Sequence, residues 1–281
     1  MKNNDKISAE LFQDDISGLK GRRKQSGRAT SDVVTTSYAN SNDEVFPHIL
    51  KLYVAEGARI VDVTYGKGVF WRNVDTSKYD FSKSDLKTGT DARSLPYADS
   101  SIDALVLDPP YMEGLYRRDA GHLAGGGTHA AFRDFYSNGE ATPNGQLKYH
   151  DVVVDMYMRC AVEAKRVLRP GGVFIVKCQD EVSANRQKLT HVELIFGYER
   201  LGYYCKDLFV VTRLNRPVVS RLLKQEHARK NHSYFLVFIK TSGKLPYSNF
   251  RALLGSYSET HSPIVSSKSK RKSDTHGGRK G

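Results

Sequence analysis

The sequence predicts an α/β protein built on a mostly parallel β-sheet with an antiparallel strand at one edge. Three observations predict it. Short apolar runs of strand length alternate with amphipathic stretches of helical period from about residue 41 onward. Two of these runs open into loops rich in glycine or proline, at the strand ends where open α/β sheets bind ligands. The last two runs, residues 203–214 and 233–240, have no helical stretch between them, the pattern of an antiparallel pair.

Each element has its own signal. Ser41-Asn42-Asp43-Glu44 has the form of a capping box, opening a helix with Val45, Ile49, Leu52 and Tyr53 on one face. Residues 59–63 and 102–107 read as buried strands, with a weaker strand signal around residues 79–81. Residues 151–168 read as a helix ended by Arg169-Pro170-Gly171-Gly172, and residues 173–176 as the next strand. Residues 184–201 then read as an amphipathic helix with Leu189, Val192, Phe196 and Leu201 inward, closed by Gly202.

The organisation that follows is one domain over residues 31–243, between a flexible basic arm at 1–30 and a basic, mostly disordered tail at 244–281. The net charge of +12 is concentrated: +3 in residues 1–30, +6 in residues 241–281 and +5 in the internal segment 213–230, which leaves the rest about neutral to slightly acidic. Cationic tails and one cationic loop suit a protein that meets a polyanion. No run approaches the roughly 18–20 apolar residues of a membrane span, and the first residues, MKNNDKISAE, lack the apolar core of a signal peptide. Cys160, Cys178 and Cys205 form no C-x-x-C pair, so neither a disulfide framework nor a cysteine zinc site is expected, and the setting is reducing and cytoplasmic. His122, His129, His150, His227 and His232 lack metal-ligand spacing, and no metal is expected.

Two sites carry chemistry. Asp62-Val63-Thr64-Tyr65-Gly66-Lys67-Gly68 follows a strand directly, and a G-x-G turn there lets backbone approach a ligand closely. Asp108-Pro109-Pro110-Tyr111 follows the strand at 102–107. Its two prolines stiffen a loop that offers a carboxylate, a peptide carbonyl beside no competing N–H, and an aromatic ring. Those groups are two acceptors for an amino group and a flat surface for a base.

Together these residues resemble the class I methyltransferases, specifically the amino-methyltransferases that act on adenine or cytosine in DNA. The likeness extends to residues 91–103 and 164–172, spans about residues 35–241, and departs where Val63, Thr64 and Tyr65 stand in place of the family's Pro and Phe before the glycines. It implies a single Rossmann-like class I domain, with a seven-stranded sheet covered by helices on both faces. It implies S-adenosylmethionine as cofactor, held by Asp62, Tyr65, Gly66 and Gly68, with Asp85 on the ribose hydroxyls and Asp91 on the adenine amino group. It implies Asp108, Pro109, Pro110 and Tyr111 as the catalytic loop: Asp108 and the Pro109 carbonyl accept from the target amino group and Tyr111 stacks on an extruded base. Adenine is favoured over cytosine, and with no Pro-Cys nucleophile, attack through a covalent ring-carbon adduct is not expected.

Nucleic-acid contacts are expected from Arg117 and Arg118 in a glycine-bearing loop insertion at 112–150, and from Arg213, Arg216, Arg221, Lys224, Arg229 and Lys230 in the basic loop at 213–232. DNA is favoured as the partner, in an enzyme of prokaryotic or phage type such as serves restriction and modification. No further domain remains for target recognition, so a short site or a partner subunit is required. The alternatives are an RNA amino-methyltransferase acting on guanine or adenine of tRNA or rRNA, a small-molecule methyltransferase, and a catalytically silent subunit of the same fold.

Overall fold

In the computed structural model, residues 31, 33–111, 150–213 and 224–242 are described. The arm at 1–30, most of the 112–150 insertion, residues 214–223 and the tail at 244–281 lie outside them, and with them Arg117, Arg118, Arg216 and Arg221.

The elements run β1 (Ser37–Tyr38), α1 (Asn42–Tyr53), β2 (Arg59–Asp62), β3 (Asp80–Lys83), β4 (Ile102–Leu107), α2 (His150–Val167), β5 (Leu168–Cys178), β6 (Glu181–Ser183), β7 (Arg186–Lys188), α3 (Thr190–Arg200), β8 (Tyr203–Thr212) and β9 (His232–Lys240). Seven strands form one sheet in the order β1-β8-β9-β5-β4-β2-β3, and β6 and β7 make a separate hairpin. Every pairing in the large sheet is parallel except those of β9, which runs antiparallel to β5 and β8. The expected Rossmann-like, mostly parallel seven-stranded sheet is therefore present. Its antiparallel strand sits third from one edge, because β8 and the short β1 add on beyond it.

Period-two alternation explains why both faces are covered. In β4, Leu105 and Leu107 point into a core with α2 and α3, while Ala104 and Val106 point into a second core with α1. β5 repeats the division, with Phe174 and Val176 on one side and Val173 and Ile175 on the other. Strands buried on two faces read as continuous apolar runs, which is what made them legible.

Four local expectations change. Helix α1 buries Val45, Phe46, Ile49 and Leu50 and leaves Leu52 49% exposed, so its inward stripe is rotated from the one predicted. Ser41 caps no backbone N–H; its hydroxyl donates to Glu44 Oε1 at 3.3 Å. Pro47 lies inside this helix and has no N–H for the Asp43 carbonyl, which accepts from Asn73 Nδ2 at 3.2 Å instead. Residues 184–189 are not helical: Ala184 and Asn185 adopt positive φ and turn the β6–β7 hairpin. Helix α3 buries Thr190, Leu194 and Tyr198, leaving Leu189 46% and Phe196 55% exposed.

Candidate active site

The glycine loop starts where β2 ends. Ser84 N–H donates to the Asp62 carbonyl at 2.8 Å and Tyr65 N–H donates to the Ser84 carbonyl at 3.1 Å, which binds the loop to the end of β3. Gly66 and Gly68 have φ of 51° and 63°, the left-handed region that costs a side chain, and a Cβ on Gly68 would also run into the Tyr65 ring. The turn leads into a single 3-10 turn, Val69–Trp71.

Asp62 is the loop's buried anchor. Its Oδ1 accepts from Thr64 N–H at 2.9 Å and its Oδ2 from Trp71 Nε1 at 2.6 Å. Burial outweighs these donors and the nearby Asp108 charge adds to it, so the carboxyl is pushed up to about 7. Tyr65 packs beside Phe81, with Lys83 Nζ 4.7 Å from its ring centre. These side chains, with Gly68 and Trp71, border a shallow cavity of about 440 Å³ that neither Asp85 nor Asp108 lines.

Asp85 lies two residues past β3 and caps a 3-10 turn, Leu86–Thr88, its Oδ1 accepting from Thr88 N–H at 3.0 Å. Asp91 is engaged within its own loop: Arg93 donates to both of its oxygens, at 2.9 Å from Nε and 2.7 Å from Nη2. That loop is clamped to α2. Leu95 N–H donates to Glu163, and Arg166 donates to the carbonyls of Leu95 and Tyr97 and to Asp99. The two flanking segments of the resemblance, 91–103 and 164–172, are thus held against each other.

The catalytic-loop candidates sit at the carboxyl end of β4, beside the glycine loop. Asp108 N–H donates to Thr64 Oγ1 at 2.6 Å, so Thr64 ties one loop to the other. Tyr111 O–H donates to Asp108 Oδ1 at 2.5 Å. Burial raises the Asp108 carboxyl above the ordinary carboxylate range, while the Tyr111 bond and the charge of Lys177 oppose the rise. The Tyr111 hydroxyl is pushed well up by burial and by Asp108.

Of the basic candidates, Arg213 is near this loop: its charge acts on Tyr111, and its Nη2 donates to Gln179 Oε1 at 3.3 Å, just past β5. Lys224 and Arg229 are exposed and Lys230 half-buried. Their segment leans on the β6–β7 turn through Asn185 Nδ2 donating to Glu226 at 3.1 Å and through His227 against the Asn185 carbonyl at 3.2 Å. His150, at the start of α2, is buried between Glu181 (2.7 Å) and Glu193 (3.0 Å) and ties that helix to β6 and α3. Among the described residues no group of His, Cys, Asp and Glu could hold a metal, and no helix is long and apolar enough to cross a membrane.

Trp71 and Lys177 belong to no motif in the sequence, and Thr64 stands there only as a departure from the family's pattern. Thr64 carried a usable signal: a hydroxyl two residues after the strand-end acid can bond back to it.

No protein-family model and no curated protein matches the chain. Solved structures similar to it include TrmN from Thermus thermophilus, with 15% identity over 70% of this chain and 48% of that one and a TM-score of 0.40. A SAM-dependent methyltransferase from Methanosarcina mazei shows 14% identity over 68% and 96% of the two chains, with a TM-score of 0.37. The cytosine-N4-specific PvuII DNA methyltransferase shows 15% identity over 53% and 46%, with a TM-score of 0.35. This chain spans about half the length of TrmN. At these scores the likeness adds nothing to what the sheet order and the site geometry themselves define.

Proposed function

We propose that the chain is an S-adenosylmethionine-dependent methyltransferase that methylates the exocyclic amino group of a base in DNA, adenine in preference to cytosine. The observation that carries this reading is the junction of the two loops. Thr64 bonds both Asp62 and the backbone of Asp108, so a strand-end glycine turn and a rigid carboxylate-carbonyl loop share one edge of the sheet. The residues at the first loop fit the cofactor: Gly66 and Gly68 keep the backbone open to close approach, the Ser84 hydroxyl is buried without a partner, and the second oxygen of Asp85 has none among the described residues.

When bound, the cofactor supplies an electrophilic methyl group on a sulfonium sulfur. Asp62 fixes the loop, Asp85 would accept the ribose hydroxyls, and Asp91, held by Arg93, would lie beside the adenine. Asp108 and the Pro109 carbonyl would accept the two N–H bonds of the target amino group, which aims its lone pair at the methyl carbon. Positioning then supplies most of the acceleration. Asp108, as a carboxylate, would take up the surplus proton of the amino nitrogen. Tyr111 would exchange its bond to Asp108 for stacking on the extruded base. Arg213, Lys224, Arg229 and Lys230, with Arg117, Arg118, Arg216 and Arg221, would contact phosphates.

The test is transfer of tritium from labelled cofactor to unmethylated genomic DNA or to total RNA, with Asp108→Ala as control. Label in DNA that the variant abolishes supports the reading, and label only in RNA moves the substrate to RNA. Label in neither, with cofactor bound, removes the stand-alone DNA enzyme.

A further inference from the structure

Lys177 has no evident structural reason to be a lysine. It is the penultimate residue of β5, 1% exposed, and its Nζ has no hydrogen-bond partner among the described residues. The strand registers place it. Val176 pairs with Leu107, the last residue of β4, so Lys177 stands one step on, level with Asp108 just past the end of that strand. On its other side it pairs with Phe235 of β9, whose ring centre lies 3.9 Å from Nζ. Tyr157 O–H of α2 donates to the Lys177 carbonyl at 2.8 Å and fixes the backbone there. A buried cation without a hydrogen-bonded partner is costly, and an apolar side chain of similar volume would serve packing better. The reason for a lysine lies in what the amine faces.

The charged and titratable groups that act on it are few: Asp108 on the β4 loop, Cys178 next to it on β5, and Arg213 just past β8. Asp108 in turn is bonded by Tyr111 and acts on Asp62 across Thr64. Burial pushes the Lys177 amine down to about 7 and Arg213 pushes the same way, while Asp108 holds it up; the charge on the amine in turn lowers Asp108. The cysteine is pushed up out of its ionising range by burial and carries no charge to compete. Asp108 is therefore the acid that the Lys177 charge serves.

We propose that Lys177 is a positioning residue that keeps Asp108 ionised, so that the loop meets the target amino group with an accepting carboxylate. This role rests on the reading of Asp108 given above. Burial alone would protonate Asp108 and turn it into a donor, opposing an amino group that is itself a donor. A lysine rather than an arginine suits the task, since a point charge over an aromatic face needs no planar partner.

The first measurement needs no acceptor substrate. Full-length protein with carboxyl-¹³C aspartate is titrated by NMR, with the Asp108 signal assigned by its loss in Asp108→Asn. In Lys177→Met the Asp108 titration should move up by about one unit or more, and in Lys177→Arg it should stay near that of the native chain. An Asp108 titration unchanged in Lys177→Met overturns the proposal. Should Lys177→Met fail to fold, ¹⁵Nζ-lysine spectra of Asp108→Asn serve instead. The Lys177 amine should titrate lower there than in the native chain, and an unchanged value overturns the pairing. In turnover, the acid limb of the kcat profile should move up in Lys177→Met, with a rate loss of about tenfold at the limb that disappears in the Asp108→Asn background. A loss equal at every pH, or one persisting in that background, also overturns it. A chain inactive on every nucleic acid would remove the function proposed above and leave the carboxyl titration to decide this inference separately.

Discussion

Asp62 and Asp108 stand at the carboxyl ends of neighbouring parallel strands, joined through one threonine, and burial raises both carboxyls. Their partners differ. Asp62 spends its two oxygens on the Thr64 N–H and the Trp71 indole, two donors fixed in its own loop. Asp108 receives one bond, from Tyr111, and stands near a lysine whose amine has no hydrogen-bond partner among the described residues. The difference teaches that burial alone does not mark a working acid. A carboxylate saturated by its own loop is an anchor, and one with acceptor capacity beside an amine that has no hydrogen-bond partner is poised for a ligand.

The largest effect that would break this comparison is in catalysis. Asp108→Ala should lower kcat by about 10²–10³-fold, the scale seen when one preorganised polar group is removed from a reacting centre. Cofactor affinity by calorimetry should hold within about threefold, since the side chain acts on the acceptor. If Asp62→Ala gave the same selective loss with affinity intact, the two acids would not divide the work as described.

Asp62→Ala should instead act on stability and cofactor binding. It strands a buried indole N–H and a backbone N–H, at about 1–3 kcal/mol each, and the melting temperature should fall by about 5–15 °C. Thr64→Val sharpens the comparison by cutting the tie between the loops. It leaves the Asp108 N–H without its partner at about 1–3 kcal/mol, and should raise the cofactor Kd and lower kcat together, as neither aspartate variant does.

The smallest effect is spectroscopic. Trp71 is the only tryptophan and its indole bonds Asp62. Its emission should change with a midpoint near the about 7 to which Asp62 is raised. The change should vanish in Asp62→Asn. In Asp108→Asn the midpoint should drop, because the Asp108 charge raises Asp62. Stability tied to Asp62 is greatest below its ordinary value of 3.8 and is lost as pH rises through about 7. Denaturant titrations of Asp62→Asn should show that slope flattened.

The most legible parts of the fold were those decided by burial on two faces. Residues 102–107 read as a strand because every residue except Asp103 is buried, and the prolines after it mark its end. The β3 strand was faint because Asp80 and Lys83 are exposed and only Phe81 and Ser82 lie partly inside. Helix α3 was read in the wrong phase. Its sequence offers Leu189 and Phe196 as the obvious apolar stripe, whereas the core takes Tyr198, whose hydroxyl donates to the Tyr157 carbonyl at 3.0 Å, and Thr190. Periodicity cannot anticipate such a choice, because a tyrosine and a threonine count as polar until their neighbours are known. At the site, Asp62 and Asp108 stood out by position. Lys177 did not: after Val173-Phe174-Ile175-Val176 a lysine reads as the solvent end of a strand, and only the packing of β4 and β9 around it encloses it.

The central claim is that the Asp108 loop presents an exocyclic amino nitrogen for methylation. Mass spectrometry of nucleosides from DNA treated with the protein and isotopically labelled cofactor tests it most directly. The account predicts the label on N6-methyladenine, or on N4-methylcytosine as the lesser outcome, and its loss in Asp108→Ala. Label on a ring carbon, or label that persists in Asp108→Ala, would contradict it.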